Sequence, residues 1–97
     1  MKYEVVRSDT FAQWLTGLRD KRAQVRIGVR VQRIQEGNFG DHKSVGGGVS
    51  ELRVNVGPSY RVYYTVRRKV VVILLCGGDK SSQRQDIRLA QRMANEL

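Results

Sequence analysis

The chain has few of the residues that cross-link proteins or bind metals. Of its 97 residues one is cysteine (Cys76), one is histidine (His42) and one is proline (Pro58). A lone thiol excludes an internal disulfide and a cysteine-rich zinc cluster, and a lone histidine excludes any two-histidine mechanism. Acidic residues number nine against 18 Lys and Arg, and no Asp, Glu or His grouping has metal-site spacing, so neither metal nor cofactor is expected. No apolar run approaches the roughly 18 residues that cross a bilayer. The opening Met1-Lys2-Tyr3-Glu4 lacks the apolar core of a secretory signal. These shortages lead to the expectation of one cytoplasmic domain over residues 1–97, with a single modest core and no membrane partner.

What the chain has in excess is positive charge. Its formal net charge is +9 and its isoelectric point is near 10.5. Clustered Arg and Lys gain affinity for phosphate backbones through counterion release, so nucleic acid is the leading partner class. A basic domain with no such partner is the simpler alternative.

The pattern along the chain predicts an α+β domain: a strand, two helices, then an antiparallel sheet and a last helix. Tyr3, Val5 and Val6 suggest a short edge strand. Ser8 or Asp9 caps a helix whose Phe11, Trp14, Leu15 and Leu18 share one face. Asp20 caps a second helix running to about Glu36, stopped by Gly37-Asn38. Ala23, Ile27, Val31 and Ile34 form its apolar stripe, and Arg22, Arg26, Arg30 and Arg33 form a cationic ridge at the same period. Such a ridge is solvated, or contacts RNA or an acidic protein segment.

A glycine-rich loop follows, with a possible short strand over Lys43 to Val45. Leu52, Val54 and Val56 then alternate with Glu51, Arg53 and Asn55, and Tyr60, Val62, Tyr64 and Val66 alternate with Arg61, Tyr63 and Thr65. A hairpin closed about Pro58 pairs Arg53 with Tyr63 and Asn55 with Arg61, placing these four on one face. Val70 to Cys76, apolar on both faces, reads as a central strand, ending in an open loop over Gly77-Gly78-Asp79-Lys80. Ser82 with Gln85 fits a capping box opening the last helix, whose apolar stripe is Ile87, Ala90, Ala94 and Leu97.

Several stretches carry a family resemblance: Gly37-Asn38-Phe39-Gly40-Asp41, Lys43, Gly46, Gly48-Val49-Ser50-Glu51-Leu52-Arg53, Gly57-Pro58, Tyr60-Arg61-Val62-Tyr63-Tyr64 and Leu74 to Gln83. Together they resemble the "addiction module killer protein" group of the RelE/ParE toxin superfamily, from about Phe11 to Leu97. The resemblance implies the toxin of a type II toxin-antitoxin pair, with a RelE/ParE-like fold. It also implies a helix-turn-helix antitoxin as partner, operator DNA reached indirectly through that antitoxin, and cleavage of mRNA on the ribosome. The ParE branch shares the fold but inhibits DNA gyrase by protein binding, so the fold alone leaves both activities open.

RNA cleavage without metal needs a base for the ribose 2′-hydroxyl, cations for the crowded phosphate and an acid for the leaving 5′-oxygen. Arg61 falls where the resemblance places a phosphate-stabilising arginine, Lys80 near a second catalytic cation, and Arg53 near a basic residue on the scissile phosphate. Lys43 and His42 in the glycine-rich loop, Tyr63 as a stacking aromatic, and Arg26 and Arg30 on the ridge are the candidate RNA contacts. The tyrosine that some relatives supply from the last helix is missing, with Asp86 near its position. A non-catalytic nucleic-acid-binding module remains a third alternative.

Overall fold

A side-chain oxygen starts each of the two N-terminal helices. In the computed structural model, which describes residues 2–97, the Ser8 hydroxyl accepts from Phe11 N at 3.0 Å. Asp20 Oδ1 accepts from Arg22 N at 3.0 Å and Ala23 N at 3.3 Å. Each bond satisfies amides that the first helical turn leaves free. The elements are β1 (Glu4–Arg7), α1 (Asp9–Gly17), α2 (Lys21–Ile34), β2 (His42–Gly46), β3 (Val49–Val54), β4 (Tyr60–Arg67) and β5 (Val71–Asp79). A 3-10 turn (Lys80–Ser82) then leads into α3 (Gln83–Asn95).

The five strands form one sheet in the order β1-β5-β4-β3-β2. Antiparallel pairing holds for β2 to β5, as expected, while the edge strand β1 runs parallel to β5. Helices cover both faces. The apolar stripe of α2 and Phe11 of α1 bury against Leu52, Val54, Tyr60, Val62, Tyr64, Val72 and Leu74. On the other face Ala90 and Ala94 of α3 pack on Val49, Tyr63, Leu75 and Cys76. A register shift in β5 leaves Leu75 unpaired between Leu74 and Cys76, which face Tyr64 and Tyr63. That bulge turns both Leu75 and Cys76 into the α3-side core.

Three local expectations are corrected. The β3–β4 hairpin turns about Gly57, which has φ 55°, because β3 already ends at Val54, paired with Tyr60. Arg53 therefore lies opposite Arg61, and Glu51 opposite Tyr63. A slip of two residues preserves the faces but changes every partner. Second, Gly77, Gly78 and Asp79 are strand, paired with Val62, Arg61 and Tyr60. A Cβ on Gly77 would stand 2.4 Å from the Trp14 ring, and one on Gly78 1.8 Å from Asp86 Oδ2. These glycines serve close packing, not chain freedom. Third, Ser82 makes no capping bond to α3. Its hydroxyl donates to Asp86 Oδ2, and Asp79 caps the preceding turn through Ser81 N at 2.8 Å.

Candidate functional site

On the sheet face beneath α3, two cross-strand rows bring the polar residues together. One row is Arg53 (β3), Arg61 (β4) and Gly78 (β5); the next is Lys43 (β2), Glu51, Tyr63 and Cys76. Like charges directly opposite each other are unfavourable in a sheet, so the Arg53–Arg61 pair concentrates positive potential at one place. Arg53 is partly neutralised by Asp41, whose Oδ1 lies 2.7 Å from Nη2. Among the described residues no carboxylate lies within ion-pair distance of Arg61.

Arg61 is only 8% exposed. Its Nη1 donates to the Ser59 carbonyl at 2.9 Å and to Ser59 Oγ at 2.8 Å, while its Nε is buried without a partner. Ser59 reaches this position with φ 68°, a left-handed conformation that costs a residue with a side chain about 1 kcal/mol or more. The strain buys a fixed guanidinium. Lys80 is exposed on the turn after β5, one residue beyond Asp79, the partner of Tyr60. Asp79 does not occupy it: Ser81 donates twice to that carboxylate and holds its pKa below the usual range.

Two carboxylates to which sequence reasoning gave no site role, Glu51 and Asp86, stand here. Glu51 is fully buried, accepts from Gln83 Nε2 at 3.1 Å through Oε1, and stands 4.0 Å from Arg53 Nε through Oε2. That second oxygen has no hydrogen-bond partner. Asp86, on the first turn of α3, rests over Gly78. The alternation of β3 already put Glu51 beside Arg53, but only the correct register aligns it with Tyr63. Buried polar groups normally find partners, so the orphaned atoms of Glu51, Arg61 and Tyr63 on one face mark a chemically loaded spot.

Other candidates fall elsewhere or are differently engaged. Tyr63 is fully buried, so no ring face is open to stack on a base. Burial, and then Glu51 and Asp86, raise its hydroxyl pKa above the ordinary value. Burial likewise pushes the neighbouring Cys76 thiol up to about 12. Lys43 is exposed on the same side as Glu51, whereas His42, opposite Leu52, belongs to the other side, its Nδ1 2.8 Å from Gly40 O. Arg26 and Arg30 ride on α2, across the sheet from Arg61. Arg30 is committed to structure: it donates to the carbonyls of Arg53 at 2.6 Å, Phe39 at 3.1 Å and Asp41 at 3.2 Å. Desolvation lowers its pKa.

The chain has counterparts among known proteins. The family described as "Phage derived protein Gp49-like (DUF891)" matches residues 13–95. The chain belongs to the Gp49-like family. This is a RelE-like toxin family, which places the Gp49-like chain in the RelE/ParE toxin superfamily. An uncharacterized protein of Haemophilus influenzae is 48% identical over 97 residues, covering 100% of this chain and 98% of its own length. The free-state structure of an Escherichia coli toxin RelE double-arginine mutant superposes with a TM-score of 0.75 over 95% of this chain and 98% of that one. At 17% identity that likeness is one of fold, and it agrees with the sheet and C-terminal helix described above.

Proposed function

We propose that this Gp49-like protein is the toxin of a type II toxin-antitoxin system and acts as a metal-independent endoribonuclease on mRNA held in the ribosome, neutralised by a cognate antitoxin. The observation that carries the reading is the direct opposition of Arg53 and Arg61, with Lys80 on the adjoining turn. Two cations side by side, Arg61 without a carboxylate in ion-pair distance and Arg53 only partly neutralised by Asp41, suit a phosphate passing through five-coordination. The ribose 2′-oxygen attacks the adjacent phosphorus, its proton passes to solvent water, and the phosphorus–5′-oxygen bond breaks to leave a 2′,3′-cyclic phosphate, while the fully buried Glu51 acts behind Arg53, 4.0 Å from its Nε. Arg61 and Arg53 hold the non-bridging oxygens, and Lys80 supplies the proton to the departing 5′-oxygen. Lys43, on the Glu51 row, contacts the flanking backbone.

The test is to induce the protein briefly in bacteria and map transcript 5′ ends, comparing wild type with Arg61→Ala. New ends inside translated codons are expected for wild type and should fall by about 100-fold or more in the variant, the loss typical of removing one transition-state donor. Circular dichroism of Arg61→Ala checks that folding is retained. Growth arrest without new ends overturns the ribonuclease reading in favour of gyrase inhibition.

A further inference from the structure

The Gly37-Asn38-Phe39-Gly40-Asp41 segment, which joins α2 to β2, is pinned at several points. Phe39 stacks on Tyr64 with ring centroids 5.5 Å apart and meets Tyr3 edge-on at 5.2 Å. Arg30 reaches across from α2 and donates through Nη2 to the carbonyls of Phe39 at 3.1 Å and Asp41 at 3.2 Å. Through Nη1 it donates to the Arg53 carbonyl at 2.6 Å, and the Asp41 carbonyl also accepts from Arg53 N at 2.9 Å. Gly40 makes room for this approach: its φ is 62°, and a Cβ there would lie 2.9 Å from Arg30 Nη2. One guanidinium thus ties α2, the loop and the end of β3 together, with charge-assisted bonds stronger than those of a neutral donor.

This junction brings the Asp41 carboxylate to Arg53. Asp41 Oδ1 accepts from Nη2 at 2.7 Å and from Nε at 3.1 Å, and Glu51 stands on the same flank, 4.0 Å from Nε. Among the described residues nothing accepts from Nη1, so Nη1 and the second hydrogen of Nη2 form an open fork of the shape that matches two phosphate oxygens. We propose that Asp41, itself set in place by Arg30, is a positioning residue that aims this fork at the phosphate beside Arg61. The inference rests on the ribonuclease reading for the identity of that phosphate. Asp41 also offsets part of the Arg53 charge, and the two effects oppose each other. Its side chain is 44% exposed, so water screens the charge while the hydrogen-bond geometry persists. Arg61, with no carboxylate beside it, supplies the stronger field, and aim is what Arg53 adds.

The test compares wild type, Asp41→Ala, Asp41→Asn, Arg53→Ala and the double variant Asp41→Ala with Arg53→Ala, each a purified full-length chain mixed with ribosomes carrying a defined mRNA. Asp41 is exposed and substitution leaves its backbone bonds in place, so circular dichroism should be unchanged. Asp41→Ala is expected to lower the saturating cleavage rate by about tenfold or more with the half-saturating ribosome concentration unchanged. Asp41→Asn, which keeps an acceptor for Arg53, should recover most of that loss. In the Arg53→Ala background, Asp41→Ala should cost nothing further, a result that general destabilisation would not reproduce. The Arg53 Nε–H resonance gives a second readout: by NMR relaxation it should be ordered in wild type and averaged in both Asp41→Ala and Arg30→Gln. The proposal is overturned if Asp41→Ala cleaves as fast as wild type or faster, or loses equally in both backgrounds. If wild type itself cuts nothing, the ribonuclease reading fails, and the clamp is decided by NMR alone, where an Arg53 signal indifferent to Asp41→Ala overturns it.

Discussion

Gly77 shows how one missing side chain positions a layer. Its Cα lies so close to the indole of Trp14 that a Cβ would come within 2.4 Å of Cε3 and Cζ3, and a rigid ring set between Phe11 and Tyr60 cannot easily give way. Gly77→Ala should therefore destabilise the protein by about 1–3 kcal/mol, the range for overpacked cores. Chemical denaturation followed by Trp14 fluorescence measures it; an unchanged midpoint would show that the indole yields freely. Next to it, Gly78 admits the Asp86 carboxylate to the row of Arg53 and Arg61. Two adjacent glycines that suggest a loop in sequence thus let α1 and α3 approach β5 from opposite sides.

At the scale of elements, α2 has two jobs on its two sides. Ala23, Ile27, Val31 and Ile34 bury fully or nearly so, which accounts for most of its stability, since short helices in water depend on packing. Its first turn depends on Asp20. Replacing Asp20 with Ala should cost about 1 kcal/mol, lowering the melting temperature by about 4–8 °C in a domain of this size, whereas Asp20→Asn should retain most of it. Calorimetry of the three proteins checks the order. The outer side of the same helix separates into a committed arginine, Arg30, and free ones, Arg22, Arg26 and Arg33, which periodicity alone makes equivalent.

For the whole molecule, β5 is the shared wall of two cores. Leu74 belongs to the α1–α2 side and Leu75 to the α3 side, so loss of packing on one side should weaken the other. Leu75→Ala should lower stability by about 2–5 kcal/mol. Trp14 fluorescence, which reports the opposite layer, should shift in step with far-ultraviolet circular dichroism. Separate transitions would show that the two layers unfold independently. Both sides also carry positive charge, the arginine row under α3 and the cationic ridge of α2, consistent with a net charge of +9 on one small chain.

Much of this was legible in the residues themselves. Helix starts at Ser8 and Asp20, the apolar stripes and the alternating faces of β3 and β4 follow from local geometry, and period and capping need no distant partner. The family resemblance, carried by the residues from Gly37 to Gln83, was legible too. Pairing was not. The hairpin register depends on how Gly57 and Ser59 turn the chain, and those two residues of slip decide that Arg61 meets Arg53 while Glu51 meets Tyr63. Burial of Glu51 and Tyr63 and the commitment of Arg30 to three carbonyls arise only when separate elements close on one another. The sequence by itself determined the elements, their inward faces and the charge; tertiary structure alone decided which charged side chains stand together, because proximity across strands and layers is set by register and packing, not by spacing along the chain.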